Sequence, residues 1–492
     1  MPSILAIDQG TTGSRALVVR EDGRVIGRAY REFTQHFPQP GWVEHDAREI
    51  WQVTCDSARE ALAQAGEAPA GIGITNQRET VVLWDRRTLE PVTPAIVWQD
   101  RRTAARCAAL KAEGREDEVR RLSGLLLDPY FSATKLEYLL RDPVLRRGAE
   151  SGALACGTMD SWLIARLTSG AVHVTDHTNA SRTLLYGLER HDWEPALLEL
   201  FGIPPQLLPR IVASSGVIGE CDPAHFGRSL PIAGIAGDQQ AALFGQGCVR
   251  PGLAKNTYGT GAFLLSYAGP DRPAAGAGLL TTIAAGPRGE PAYALEGSVF
   301  VAGAAVQWLR DGLGIIATAG EAEALARSVT DTGGVHFVPA FVGLGSPHWE
   351  PGARGTITGL TRGTGRAHLV RAALEAMAFG SADLLEAMVA GQGRNLDLLR
   401  VDGGAAANDW LMSFQADVLG VPIERPAEVE TTVFGAAALA GLALGVWRSL
   451  DECLQSRTFT RFDARVSAAV REELRRGWSR AVRAALGWAR EG

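Results

Sequence analysis

The sequence predicts an α/β protein of two similar lobes that meet near residue 248, dividing the chain into 1–247 and 248–492. Three observations carry that prediction. Strand-like apolar runs alternate with helical patterns of ordinary length from the first residues onward. A polar Gly/Thr turn followed by an apolar strand occurs twice, at 8–19 and again at 255–267. The 492 residues suffice for two to four domains at roughly 150 residues each, every one able to bury a core.

The elements follow in order. Ile4-Leu5-Ala6-Ile7 is a short apolar run, and Asp8-Gln9-Gly10-Thr11-Thr12-Gly13-Ser14-Arg15 is polar and turn-rich. Ala16-Leu17-Val18-Val19 is apolar again, Glu21-Asp22-Gly23-Arg24 turns, and 25–30 resumes strand character, which makes a meander of antiparallel hairpins. A helix is expected over 47–65, then strands at 71–74 and 81–84. In the second half, Tyr258-Gly259-Thr260-Gly261 turns into a strand over 262–267, and a strand over 398–401 leads into the Gly-rich loop Gly403-Gly404-Ala405. Residues 236–243 read as a helix started by a capping Asp238. The longest apolar stretch, 434–447, is shorter than the ~18 residues of a membrane-spanning helix, and its Ala and Gly content suits a tightly packed internal helix. Val466, Val470, Leu474, Trp478, Val482 and Leu486, with arginines between them, predict a final amphipathic helix packed on its own lobe.

Composition narrows the function. Glycine is frequent, 57 residues, against an average of about 7%. The net charge of −6 argues against a protein that coats nucleic acid or an anionic membrane. Only Lys111, Lys135 and Lys255 are lysines, so arginine carries nearly all positive charge, and Lys255 has no evident role. Six scattered cysteines without a CxxC pair, and no signal-like segment after Met1, suit a reducing cytoplasm. His173 and His177 show no metal-ligand clustering and read as structural or surface residues.

Chemistry concentrates in the turns. Asp8 at a strand end is poised to hold a metal ion, and the following Gly/Thr turn offers N–H groups and hydroxyls to an anion. The spacing matches neither a Walker loop nor a dinucleotide fingerprint. With the turns at 258–261 and 401–408, a nucleotide cleft and three ordinary loops both fit. Asn76-Gln77-Arg78-Glu79-Thr80 offers donors and acceptors suited to a polyhydroxylated ligand, or a plain ion pair. Asp238 is either a general base for a hydroxyl or only a cap.

Seven segments, in order along the chain, together resemble the glycerol-phosphorylating members of the FGGY carbohydrate kinase family. They are Asp8-Gln9-Gly10-Thr11-Thr12, Gly73-Ile74-Thr75-Asn76-Gln77-Arg78-Glu79-Thr80, Ile96-Val97-Trp98-Gln99-Asp100-Arg101-Arg102-Thr103, Asp128-Pro129-Tyr130-Phe131-Ser132, the run 237–246 around Asp238-Gln239-Gln240, Asn256-Thr257-Tyr258-Gly259-Thr260-Gly261, and Val401-Asp402-Gly403-Gly404-Ala405. The resemblance implies two actin/hexokinase-like (ribonuclease H-like) lobes with mixed five-stranded sheets around a central cleft. It implies ATP-dependent phosphorylation of glycerol in glycerol catabolism, with Mg2+ required and a homodimer or homotetramer as the assembly. Asp8 would hold Mg2+. Thr11, Thr12, Gly13 and Arg15 would contact phosphates, and Thr260, Gly303, Gln307, Gly404 and Asn408 would complete the nucleotide site. Arg78, Glu79, Tyr130, Asp238 and Gln239 would hold the hydroxyls, Trp98 and Phe263 would line the carbon side, and Asp238 would be the base, with Asp8 and Arg15 assisting.

The chain also departs from the family. Gly13 stands where many relatives have Ser, and Tyr138 where Trp is usual. Segment 219–229 lacks the Gly-Gly-Lys-Gly-Gly loop through which some relatives bind fructose 1,6-bisphosphate. His225 is out of register with the loop histidine phosphorylated in others and reads as a plain surface residue. Two other functions compete: a kinase for another polyol or a ketose, and a non-catalytic actin-like scaffold.

Overall fold

The computed structural model describes residues 1–274, 278–428 and 430–491. Apolar alternation and the Glu21-Asp22-Gly23-Arg24 turn fold the N-terminus into the expected meander: β1 (Ser3–Gln9), β2 (Gly13–Arg20) and β3 (Val25–Glu32). Helix α1 (Ala47–Ala65) covers it, capped by the Asp46 side chain on Arg48 N–H and closed by Gly66 in the left-handed region. Strand β4 (Gly71–Asn76) pairs parallel to β1, and β5 (Ser215–Cys221) and β6 (Leu230–Gly237) complete a sheet of order β5-β6-β4-β1-β2-β3.

After α2 (Asp238–Gly245) the plan repeats. The second sheet contains β7 (Leu253–Tyr258), β8 (Ala262–Gly269), β9 (Leu280–Ala285) and β10 (Pro291–Val299). Helices α3 (Gly303–Asp311) and α4 (Arg366–Gln392) precede β11 (Leu398–Gly403), α5 (Asp409–Leu419), β12 (Ile423–Pro426), α6 (Thr431–Ala443), β13 (Phe459–Phe462) and α7 (Ala468–Glu491). Its order is β9-β10-β8-β7-β11-β12-β13. The five strands β3-β2-β1-β4-β6 match β10-β8-β7-β11-β12 in order and in every parallel or antiparallel pairing. The mixed five-stranded unit is therefore present twice. The sheets have six and seven strands because β5, β9 and β13 add antiparallel at their edges, where unpaired backbone groups would otherwise face water.

Between the sheets lie α2 and α6. Helix α6 packs on β1, β4 and β6 of the first sheet although it follows the second sheet in sequence, and α2 packs against α6 on one side and the second sheet on the other. Both helices are built from small residues so that backbones can touch. A Cβ on Gly435 would lie 1.9 Å from the Ala241 carbonyl oxygen, and one on Gly73 would lie 2.1 Å from that of Ala436. The Ala/Gly-rich run is the internal helix the sequence predicts. The capping reading of Asp238 needs correction: Gly237 is the cap and Asp238 is the first helical residue, where a carboxylate still meets the positive helix end.

The C-terminal helix packs on α4 and α5 as expected: Trp478, Val482 and Ala485 are buried, and the Trp478 ring stacks on Phe379 at 5.3 Å. Val470, in its first turn, is instead exposed. All six cysteines are free and buried, and among the described residues no helix is long and apolar enough to cross a membrane.

Two glycine substitutions should move stability in opposite directions. Gly435→Ala forces α6 off α2 and should cost about 1–3 kcal/mol. Gly487→Ala, on α7 with no atom within 4 Å of the new methyl, should add up to about 1 kcal/mol through helix propensity alone. Urea unfolding midpoints at constant slope check both.

Candidate active site

The sequence-predicted site residues gather at the C-terminal ends of β1, β4 and β6 on the first sheet and of β7 and β11 on the second. On the first sheet, Asp8 is the penultimate residue of β1, opposite Arg15 and Thr75. The turn at 10–12 closes through Gly10 N–H to Gly13 O at 2.9 Å, and it is braced from behind by a relay. His45 Nε2 meets Gln35 Oε1 at 2.7 Å, and Gln35 Nε2 donates to Thr11 O at 3.1 Å. Thr11 Oγ1 accepts from Trp98 Nε1 at 3.0 Å, while Thr12 is exposed at the tip. Glycine at 13 has a local cause: an added Cβ would lie 2.5 Å from Arg31 O and 2.7 Å from the Tyr30 ring. Arg15 is ion-paired with Glu430, which leads into α6. Burial pushes the Asp8 carboxyl up to about 7 against the pull of Arg15, with Asp238 and Glu430 adding to the rise.

Beside it stands a buried ionic cluster. Arg78 Nη1 and Nη2 donate to Glu296 at 2.7 and 3.0 Å, and Arg182 Nε donates to Glu79 Oε1 at 2.7 Å. Arg182 Nη2 also lies 3.1 Å from Glu296. All four residues are at most 3% exposed. Burial would raise the Glu296 carboxyl, but Arg182 and Arg78 outweigh it and hold it at about 2. Glu79 adopts φ 60°, a left-handed conformation costly for a non-glycine residue and typical of strained functional positions. The remaining Arg78 nitrogen, Nε, lies 3.3 Å from Asp238 Oδ1, which also accepts from Gln239 N–H at 2.7 Å. Tyr130 stands edge-on to Trp98 at 5.4 Å, its hydroxyl 3.5 Å from Arg78 Nη2. The loop carrying Tyr130 is pinned by Lys135, whose ammonium donates to the carbonyls of Pro129, Tyr130 and Phe131 at 2.6, 2.8 and 3.1 Å. Phe263 enters from β8, opposite Thr257.

On the second sheet a cavity of about 540 Å³ gathers Thr260, Gly303, Gln307, Gly404 and Asn408. Val306, Arg310, Glu323 and Met377 also line it, residues the sequence gave no reason to select. The turn at 258–261 is welded to α3 by Gly303 N–H on Gly259 O at 3.0 Å and Ala302 N–H on Thr260 O at 2.8 Å. Gly403 needs its φ of 85°, since a Cβ there would meet Tyr258 O at 2.2 Å. The Asn408 oxygen caps α5 on Leu411 N–H at 2.9 Å, which leaves its amide N–H groups for a ligand.

The N-terminal domain of the FGGY family of carbohydrate kinases matches residues 3–245, and the C-terminal domain of that family matches residues 254–444. The chain belongs to the FGGY family of carbohydrate kinases. It is 57% identical to the glycerol kinase of Alkalilimnicola ehrlichii across 100% of both chains, and 54% identical to that of Carboxydothermus hydrogenoformans across 99% of this chain and 98% of the other. The crystal structure of Plasmodium falciparum glycerol kinase with ADP superimposes with a TM-score of 0.94 at 35% identity, covering 99% of this chain and 98% of that one.

Within this FGGY kinase, Arg182 and Glu296 were invisible as site residues in the sequence, because distant segments bring them in, while Lys135 acts locally on the carbonyls four to six residues before it. His225 is half-buried rather than a plain surface residue, its Nε2 3.0 Å from Arg166 O and its ring edge-on to Trp51 at 5.0 Å. Of the two readings open for His173, the contact of Nε2 with Cys156 O at 2.8 Å fits the structural one.

The brace behind the Thr11 turn makes stability depend on pH. Burial lowers His45 from 6.5 to about 4, with His36 adding to the effect. The unfolded chain therefore takes up a proton at His45 before the folded one. The His45 contribution is complete above about pH 6.5 and is lost as pH falls towards about 4, by about 3 kcal/mol in full. Urea midpoints should fall across that window in the wild type and less steeply in His45→Gln.

Proposed function

We propose that the chain transfers the terminal phosphoryl group of ATP to a primary hydroxyl of glycerol, giving sn-glycerol 3-phosphate and ADP. The observation that carries this reading is that the cluster of Arg78, Glu79, Tyr130, Asp238 and Gln239 is joined through Gln239 to Lys255 of β7, the strand whose end leads into Thr260 of the cavity lined by Gly303, Gln307, Gly404 and Asn408. The two sheets act as two lobes, divided in sequence at 247–248, that close over both substrates and exclude water, the competing nucleophile.

A three-carbon triol is mostly hydroxyl, so its site must pair donors with acceptors. Arg78, Tyr130 and Gln239 donate, Glu79 and Asp238 accept, and Trp98 and Phe263 cover the carbons. Such a site rejects analogues lacking a hydroxyl far better than an apolar pocket can. Asp238 Oδ1 is engaged by Gln239 and Arg78, which leaves Oδ2 for the proton of the attacking hydroxyl. As that proton moves to Oδ2, the glycerol oxygen bonds to the γ-phosphorus in line and the bond to the β–γ bridging oxygen breaks, releasing ADP. N–H groups and hydroxyls of the turn at 10–13, and Arg15 released from Glu430, stabilise charge on the transferring group.

Mg2+ fits the donor set. Asp8 is a desolvated carboxylate near a second acid, and among the described residues no three His, Cys, Asp or Glu side chains form a cage. Asp8 would hold the ion through its carboxylate. When bound, the ion neutralises charge on the β- and γ-phosphates.

Coupled ADP production should rank glycerol at least about tenfold above xylulose, ribulose and five-carbon polyols in kcat/KM; the reverse order would move the assignment to another FGGY substrate. Asp238→Asn should lower kcat at least about a hundredfold while ADP binding by calorimetry is retained. Unchanged turnover would remove Asp238 as the base.

A further inference from the structure

Two buried charged residues of the second sheet reach the polyol cluster without belonging to any part of the mechanism above. Lys255 lies on β7, five residues before Thr260 of the nucleotide cavity, with its side chain fully buried. Its ammonium donates to the Gln239 amide oxygen and to Thr257 Oγ1 at 2.9 Å, within the field of Asp402, Asp238 and Glu296. Glu296 lies on β10 and grips Arg78 by both terminal nitrogens, with Arg182 as its second partner. Three cations, Arg78, Arg182 and Lys255, thus stand among three carboxylates, Glu79, Glu296 and Asp238.

We infer that Lys255 and Glu296 are positioning residues for the polyol: Lys255 holds the Gln239 carboxamide by its oxygen, and Glu296 holds the Arg78 guanidinium by its outer edge. This rests on the polyol reading of the cleft. A carboxamide can present either its acceptor or its two donors to a ligand. An ammonium has donors only, so it captures the oxygen and leaves the NH2 to meet a hydroxyl lone pair. Without Lys255 the group can flip, and half of its orientations set oxygen against the ligand. Glu296 acts similarly on Arg78. Its two carboxylate oxygens match the two terminal nitrogens in a planar fork, which fixes the guanidinium plane and keeps Nε on Asp238. Burial lowers the Lys255 ammonium to about 8 while Asp402 and Asp238 oppose the drop, so it remains mainly charged at neutral pH. Both residues come from the sheet that carries the nucleotide cavity, so the first sheet alone does not define the polyol pocket.

The test is a double-mutant cycle. Lys255→Met should raise the KM for glycerol about tenfold with a smaller change in kcat, and leave the KM for ATP within about threefold. In a Gln239→Ala background the same substitution should change glycerol KM less than about twofold, because Lys255 then has no carboxamide to orient. Additive losses, or a KM for ATP that moves as much as that for glycerol, would overturn the inference. Gln239→Glu supplies a check that keeps the buried lysine paired: it removes the NH2 and should also weaken glycerol by about tenfold, and unchanged glycerol affinity would sink the carboxamide argument. For Glu296, Glu296→Gln should raise glycerol KM with ATP KM retained. Where thermal unfolding shows that variant to be misfolded, Glu296→Asp takes its place, and a glycerol KM equal to wild type in a folded variant would count against Glu296. If the wild type prefers a five-carbon polyol, the glycerol assignment fails, and the same cycle is run on that polyol.

Discussion

The contact between α2 and α6 is the constraint on which the site depends. It is made backbone to backbone: Gly435 lies over the Ala241 carbonyl, and Gly245 over that of Thr431, with no room for a methyl at either place. Packing this tight has few alternative arrangements, because a displacement of one helix meets rigid main chain rather than a side chain that can turn aside. The chemistry is attached at the helix ends. Asp238 and Gln239 are the first residues of α2. Glu430, which holds Arg15, immediately precedes α6. Thr431, its first residue, bonds the Asp402 carboxylate of the second sheet, which also accepts from Gln246 just past α2 at 2.8 Å. The two glycine contacts thereby set the base, the phosphate-side arginine and the second sheet relative to one another.

The cluster around Arg78 follows a different logic. Burying four charged side chains carries a desolvation cost that pairing rarely returns in full, and apolar packing of the same volume is often at least as stable. What the ions supply is direction. A guanidinium held at two nitrogens by Glu296 has one remaining edge, and that edge faces Asp238. A carboxylate at φ 60°, tied to Arg182, is likewise aimed rather than merely buried.

Local order was largely readable in the sequence, since hairpins, helix 47–65 and the Gly/Thr turns rest on neighbours in the chain. The twin turns at 8–13 and 257–261 also pointed to two similar lobes, but the strand order within each came only from the fold. Residue types in short motifs pointed to Arg78, Glu79, Asp238 and the nucleotide turns because their chemistry needs groups close in sequence. Arg182 and Glu296 had no such signal: each lies in an ordinary stretch, and only the packing of the turn that carries Arg182 against β10 makes them partners. Helix α6 lying on the first sheet was hidden for the same reason. Its composition announced a buried helix but not which sheet would bury it.

The shortage of lysine proves more informative than the abundance of arginine. Of three lysines, Lys111 is an exposed partner of Glu116, while Lys135 and Lys255 are fully buried beside the site. At both buried positions the neighbours explain the choice. Around Lys135 three successive carbonyls converge on one point, and at Lys255 an amide oxygen and a hydroxyl do. A compact ammonium with three radial donors satisfies acceptors gathered around a point, whereas a planar guanidinium spreads its five donors along an edge. Arginine serves where the partner is itself a fork, as Glu296 is for Arg78. In a chain that otherwise uses arginine for nearly every positive charge, the two exceptions mark places where acceptor geometry, not charge, decides the residue.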